Sequence, residues 1–80
     1  MPRLRALSGG EILQILRDFG FEQLSQRGSH IKVRRLIGGQ AQSLTVPNHR
    51  EIDRGTLQAI FRQASRFIAE TDLRNRFYTE

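Results

Sequence analysis

A histidine preceded by a glycine and a serine opens a basic stretch in the middle of the chain. His30 follows Gly28 and Ser29, with Arg27 before them and Lys32 after them. Histidine is the side chain whose ordinary pKa, about 6.5, lets it take and give a proton near neutral pH. Fixed positive charges beside such a group suit chemistry at a phosphodiester, because they attract the phosphate while the imidazole moves the proton. His30 is therefore the candidate catalytic residue.

The charges that surround His30 in sequence are all positive. No acidic residue occurs between Glu22 and Glu51, whereas five basic residues do, and the formal net charge of the whole chain is also +5. Concentrated positive charge is the electrostatic footprint of a nucleic-acid partner. RNA is the favoured substrate because its 2′-hydroxyl can act as the nucleophile, which DNA lacks. The five basic residues are Arg27, Lys32, Arg34, Arg35 and Arg50.

Further residues extend the predicted site. Ser29 could hydrogen-bond either a phosphate or its own turn, and Gly28 supplies the turn conformation. Arg54 lies at the start of a predicted helix, where exposed amides attract phosphate, although plain helix capping explains the same residues equally well. His49 is a candidate accessory acid or base. The predicted RNA-binding residues are Arg27, Gly28, Ser29, Lys32, Arg34 and Arg54.

The sequence predicts no metal, cofactor or membrane span. The histidines and the nearby Glu51 and Asp53 match no metal-ligand spacing, and the surrounding positive charge opposes a cation. The chain has no cysteine, which excludes a disulfide framework and is compatible with a reducing compartment. No long apolar run follows the N-terminus, so we expect a cytoplasmic protein without a signal peptide.

Hydrophobic periodicity predicts the elements that must position these residues. Ser8 and Glu11 have the spacing of a capping box before a helix over about residues 9–19. Alternating patterns predict strands over residues 21–26, from His30 onward, and around residues 42–46, with Gly38-Gly39 as a hairpin turn and Pro47 as the end of the last strand. Asp53 is a plausible N-cap of a second helix, and Thr71 or Asp72 of a short third one.

These elements predict one α+β domain over residues 1–80. Its order is α-β-β-β-α, with a three-stranded antiparallel sheet, helices on one face and a short C-terminal helix, a pattern shared with double-stranded RNA-binding domains. Ile31 and Val33 would face the helices. His30, Lys32 and Arg34 would then face solvent together with Ser43 and Thr45.

Several short motifs resemble the HicA toxin family in order and spacing over residues 8–64. They are Gly20-Phe21, Arg27-Gly28-Ser29-His30, Val46-Pro47-Asn48-His49, Glu51-Ile52, Gly55-Thr56-Leu57 and Phe61-Arg62-Gln63-Ala64. The resemblance implies a metal-independent endoribonuclease that cleaves mRNA in a type II toxin–antitoxin pair and is neutralised by a HicB antitoxin. It assigns the catalytic role to His30 and matches His49 to a recurrent histidine without giving it a role. The chain departs from many relatives after Ala64, where glycine is missing, which predicts a longer second helix.

Two other functions fit the same residues. A non-catalytic RNA-binding module would hold structured RNA through its backbone, and its salt-sensitive binding would survive loss of the imidazole. An interaction protein would use the basic sheet face mainly to bind an acidic partner, and a neutralising antitoxin would cover that same face.

Overall fold

The protein is an α+β domain in which helices cover one face of a small sheet. A computed structural model describes residues 2–79. In chain order the elements are β1 (Arg3–Leu4), α1 (Gly9–Asp18), β2 (Glu22–Arg27), β3 (His30–Ile37), β4 (Gln40–Pro47), α2 (Arg54–Ala64), α3 (Glu70–Phe77) and β5 (Tyr78–Thr79). Strands β2, β3 and β4 form an antiparallel sheet in that order, and β1 pairs with β5 in a separate two-stranded sheet. The predicted fold class is confirmed, including the short C-terminal helix.

Helix α1 begins with the capping box that the sequence predicts. The amide of Glu11 donates to Ser8 Oγ at 3.1 Å, and the Ser8 amide donates to Glu11 Oε1 at 2.9 Å. The hydrogen bond from the Ser8 amide above all, and then the Ser8 hydroxyl, lower the pKa of the Glu11 carboxyl. At the other end the Gly20 amide donates to the Arg17 carbonyl at 2.9 Å, which satisfies an acceptor left free at the helix terminus.

Alternation along β3 and β4 separates a buried sheet face from an exposed one. The buried side chains join α1 and α2 in a single hydrophobic core, and Val46 is 0% exposed there. The opposite face is polar and carries His30, Lys32 and Arg34 to solvent, as predicted. The sheet residues in the core are Ile31, Val33, Leu44 and Val46.

Strand β2 differs from its predicted form. Its six residues are all exposed, and the buried aromatic of this segment, Phe21, lies just before the strand. The pairing with β3 shifts register between Gln23 and Ser25, so Leu24 lies at a bulge and is 45% exposed. A bulge on an edge strand increases its local twist and disfavours pairing with another chain. The simple alternation predicted for residues 21–26 is therefore wrong.

The predicted lengthening of the second helix is also wrong. Helix α2 ends at Ala64, where the Ser65 hydroxyl donates to the Phe61 carbonyl at 2.7 Å. The next residues turn, which brings Ile68 into the core at 5% exposure. The amides of Arg66 and Phe67 donate to the carbonyls three positions back, at 3.1 and 3.0 Å, which is the tighter turn common at a helix end.

Helix α3 begins earlier than predicted. Its N-cap position is Ala69, which makes no side-chain capping hydrogen bond, so neither Thr71 nor Asp72 caps the helix. Glu70 and Asp72 instead lie in the first turn, where acidic side chains interact favourably with the helix dipole.

The two ends of the described chain meet in a clasp made of β1, β5 and the aromatic residues beside them. The Arg5 amide donates to the Phe77 carbonyl at 2.8 Å. Phe61 of α2 packs edge-on against Phe77 and Tyr78, with ring centroids 5.5 and 5.2 Å away. Two-residue strands carry no readable periodicity, which is why the sequence did not predict this pairing.

Candidate active site

The His30 side chain is placed by a tight hairpin between β2 and β3. Arg27 and His30 are paired across the strands, with Gly28 and Ser29 as the two connecting residues. Gly28 has φ +59°, whereas Ser29, like every other described residue that is not glycine, has a negative φ. A positive φ at only the first of the two connecting residues is typical of a type II′ turn. A Cβ at Gly28 would meet no atom within 4 Å, so glycine is required here by backbone conformation rather than by space.

A second loop is joined directly to this hairpin. His30 pairs across the ladder with Pro47 at the end of β4, and the Asn48 amide donates to the Ser29 carbonyl. His49 follows, and its carbonyl accepts from the Gly9 amide at 2.8 Å. His30, at the start of β3, and His49, on the loop after β4, therefore lie at the same end of the sheet, although they are nineteen positions apart in sequence.

Basic side chains continue from His30 along the exposed face of β3. Lys32 pairs with Thr45 of β4, and Arg34 pairs with Ser43, so cations and hydroxyls lie side by side. On the β2 side Arg27 pairs with His30. All of these residues are exposed to solvent. We call this set, His30 with Arg27, Lys32, Arg34, Ser43 and Thr45, the basic face.

The cations of the basic face are free to meet an external anion. Within residues 2–79 the ion pairs closer than 4 Å are Arg74–Glu70 at 3.6 Å and Arg76–Asp18 at 2.7 Å, and neither includes a residue of the basic face. Glu22, which pairs with Arg34 across the strands, is the one acidic residue within the described strands β2, β3 and β4. Because the cations lie in a row along one strand and are exposed, they suit the repeated phosphates of a polymer.

Arg35 does not belong to the basic face, although it is part of the same basic stretch in sequence. It is half-buried on the helix side of β3, and its guanidinium lies 4.8 Å from the Phe21 ring centroid. It donates three hydrogen bonds of 2.6 Å, to Gln42 Oε1 and to the carbonyls of Phe19 and Phe67. Its charge therefore joins β3 to the end of α1 and to the turn after α2. Of the five basic residues between Glu22 and Glu51, Arg35 is thus the one that β3 directs toward the helices.

The start of α2 is capped by the protein itself. Asp53 accepts from the Thr56 hydroxyl at 2.7 Å and from the Thr56 amide at 3.0 Å. These two hydrogen bonds, the hydroxyl first, lower the pKa of the Asp53 carboxyl. Its negative charge occupies the position that a phosphate would take, which favours the capping interpretation of this turn. Arg54 is exposed and lines a cavity with Leu4 and Arg5 of the N-terminal segment.

Of the residues that the structure describes, those of the basic face line neither of two surface cavities on the helix side and form no metal-binding group. Among residues 2–79, no three His, Asp or Glu side chains are grouped so that they could hold a metal ion. The larger surface cavity, about 360 Å³, lies between α2 and α3 on the helix side and is lined in part by Phe61, Glu70 and Tyr78. In the same part of the chain, no helix has the length and apolar character needed to cross a membrane.

Sequence reasoning missed two residues that hold this site together. Gly9 was read only as part of the first helical turn, yet it contacts the backbone of the loop that carries His49. Asn48 was read as loop, yet its amide connects that loop to the His30 hairpin. The paired glycines at positions 9 and 10 of an otherwise strong helix were the one available signal, because glycine in a helix is costly without a packing reason.

Comparison with known proteins gives the family. A family model described as the HicA toxin of bacterial toxin-antitoxin systems matches residues 9–65, which runs from α1 to just beyond α2 and includes the whole three-stranded sheet. The chain therefore belongs to the HicA toxin family, and its role is that of the toxin in a toxin–antitoxin pair. Comparisons with curated proteins and with solved structures find no match. Helix α3 and the clasp of β1 and β5 lie outside the matched region.

Proposed function

We propose that this toxin is a metal-independent endoribonuclease that cleaves mRNA at the basic face, with His30 as general acid or base. The observation that carries the proposal is the exposed imidazole of His30 beside Arg27, Lys32 and Arg34, cations that have no ion-pair partner among residues 2–79. Membership of a toxin family supports it, because destruction of messages is a direct way to stop growth.

In the proposed reaction the RNA supplies the nucleophile. His30 takes the proton of a 2′-hydroxyl, the 2′-oxygen attacks the adjacent phosphorus, and the bond from phosphorus to the 5′-oxygen breaks. The leaving oxygen receives a proton, from an imidazole or from water, which leaves a 2′,3′-cyclic phosphate and a 5′-hydroxyl. Positioned proton transfer of this kind typically contributes about 10²–10⁴-fold in rate. His49, on the adjoining loop, is the candidate second acid or base.

The cations supply binding and charge stabilisation. Arg27, Lys32 and Arg34 would hold phosphates along β3 and offset the negative charge that develops on the phosphorane. Gly28 and Ser29 would bring the hairpin backbone close to the scissile phosphate. Arg54, on the first turn of α2, is proposed as a more distant contact with the RNA backbone.

The proposed protein partner is a HicB-type antitoxin that covers the basic face. An exposed row of three cations requires an acidic or phosphate-rich partner, and a protein that pairs with Arg27, Lys32 and Arg34 would exclude RNA by competition. Inhibition would then need no change in the toxin's own fold.

The test of this mechanism is cleavage of an RNA that carries a single 2′-O-methyl group at the scissile nucleotide. Methylation removes the proposed nucleophile, so cleavage at that nucleotide should stop while cleavage of the unmodified RNA continues and yields 2′,3′-cyclic phosphate ends. Normal cleavage of the methylated RNA would rule out the proposed chemistry. Salt-sensitive binding of both RNAs without cleavage of either would favour a non-catalytic RNA-binding module, because arginine and lysine alone account for phosphate contacts.

A further inference from the structure

Helix α1 meets the loop that carries His49 at a glycine. Gly9, the first residue of α1, is buried, and its amide donates to the His49 carbonyl at 2.8 Å. A Cβ built on Gly9 would lie 2.3 Å from the Pro47 carbonyl oxygen, 3.0 Å from Asn48 Cα and 3.1 Å from the His49 nitrogen. The helix and the loop are therefore in contact backbone to backbone, with no room for any side chain.

The neighbouring glycine makes no such contact. A Cβ on Gly10 would have Ser8 Oγ as its nearest neighbour, at an ordinary 3.8 Å. Both glycines lie in the first turn of α1, and both would gain helix propensity on replacement by alanine. The pair therefore separates the loop contact from the general effect of a glycine-to-alanine change.

The loop held by Gly9 is the one that supports the catalytic hairpin. The Asn48 amide donates to the Ser29 carbonyl, and Ser29 immediately precedes His30. Backbone contacts thus run without interruption from α1 through residues 47–49 to the turn that orients the imidazole. A displacement of this loop would be passed to His30 and His49 together, because no side chain with rotational freedom lies between them.

We propose that Gly9 is a positioning residue of the nuclease site, which sets the relative placement of the His30 hairpin and the His49 loop. The inference rests on the proposed function for its effect on cleavage, but its structural part does not. To reach an ordinary contact of 3.4 Å, the Pro47 oxygen would have to withdraw from an alanine at position 9 by about 1 Å. Misplacement of that size at a reacting centre can cost about 10²-fold in rate.

The experiment compares Gly9→Ala and Gly10→Ala with the wild type in three measurements: single-turnover cleavage of an RNA oligonucleotide, Kd for a 2′-O-methyl version of it, and backbone NMR. For Gly9→Ala we expect cleavage to fall about 10²-fold and Kd to change by less than about threefold, since the phosphate contacts remain. The amide signals of Ser29, His30 and Asn48 should shift, and amide exchange at Asn48 should accelerate. Gly10→Ala should match the wild type throughout.

The outcomes separate this inference from the proposed function. Wild-type cleavage with equal cleavage by Gly9→Ala would overturn the positioning role and leave the nuclease proposal intact. Absence of wild-type cleavage would remove the proposed function. The positioning role of Gly9 would then rest on the NMR shifts of Gly9→Ala, and absence of those shifts would overturn it. If Gly9→Ala does not fold, amide hydrogen exchange in the wild type tests the positioning role instead. The inference requires slow exchange at the amides of Gly9 and Asn48. Exchange at Asn48 as fast as at an unprotected loop amide would contradict it.

Discussion

Arg34 and Arg35 are adjacent, carry the same side chain and are expected to have opposite roles. Arg34 is exposed on the basic face, whereas Arg35 is half-buried and donates to Gln42, Phe19 and Phe67 at 2.6 Å each. Replacing each in turn by methionine keeps an unbranched stem and removes the guanidinium. Arg35→Met should destabilise the fold and leave RNA affinity unchanged. Arg34→Met should weaken RNA binding and leave the stability of the fold unchanged.

The magnitude for Arg35→Met follows from its three hydrogen bonds. Hydrogen bonds to a charged group contribute about 1.5–3 kcal/mol each, but part of the loss is recovered because the acceptors are only partly buried and can turn to water. The methionine stem also keeps its contact with Phe21. We therefore expect a loss of about 3 kcal/mol, out of roughly 4–12 kcal/mol for a domain of 80 residues. For a domain of this size that loss corresponds to a fall in Tm of roughly 12–24 °C.

The magnitude for Arg34→Met appears in RNA binding. Loss of one phosphate contact should weaken binding to all RNA sequences alike and reduce the slope of log K against log salt by about 0.7. Its unfolding free energy should stay within about 0.5 kcal/mol of the wild type, as is usual at exposed positions. Urea unfolding and fluorescence anisotropy at several salt concentrations, both below the lower Tm, measure the two effects. Equal stability of the two variants would refute the structural role of Arg35, and loss of RNA binding only in Arg35→Met would refute the orientation of β3.

Three further predictions follow from single contacts. The folded state lowers the pKa of the Asp53 carboxyl. The contribution of this carboxylate to stability is therefore complete above the unfolded pKa of about 3.9 and is lost as pH falls through the lower folded value. In thermal unfolding from pH 7 to pH 2.5, the acid-induced fall in Tm should be smaller for Asp53→Asn than for the wild type. Phe77→Ala should lower the free energy of unfolding in urea by about 3–5 kcal/mol, because Phe77 is 0% exposed and packs against Phe61. Thr79→Ala, at an exposed position, should lower it by less than about 0.5 kcal/mol. Equal losses in the two variants would contradict the proposed packing of the clasp. His49→Ala should slow cleavage and remove one limb of the pH–rate profile, and an unchanged profile would exclude His49 from proton transfer.

Periodicity and capping motifs predicted most of the elements because their causes are local. Ser8 and Glu11 lie three positions apart, and the capping box forms between them without help from the rest of the chain. The alternation of Ile31 and Val33 with polar residues likewise fixed which face of β3 is buried. The same alternation places Arg35 on the helix side of β3, where it is half-buried.

The features that the sequence did not predict depend on contacts between distant segments. Gly9 meets the loop at residues 47–49, and β1 meets β5 at the far end of the chain. After α2 ends at Ala64, Ile68 packs into the core formed by the sheet and the helices. Such contacts exist only in the folded chain, and local propensity carries no record of them.

The central claim is that the imidazole of His30 cleaves RNA without a metal ion. The most direct test compares the wild type and His30→Ala on a defined mRNA in EDTA, after both proteins are shown to unfold at the same temperature and to bind the RNA with similar affinity. The account predicts cleavage by the wild type and a loss of about 10²–10⁴-fold in the variant, the usual contribution of a general acid or base. Equal cleavage by both proteins, or cleavage that EDTA abolishes in the wild type, would contradict it.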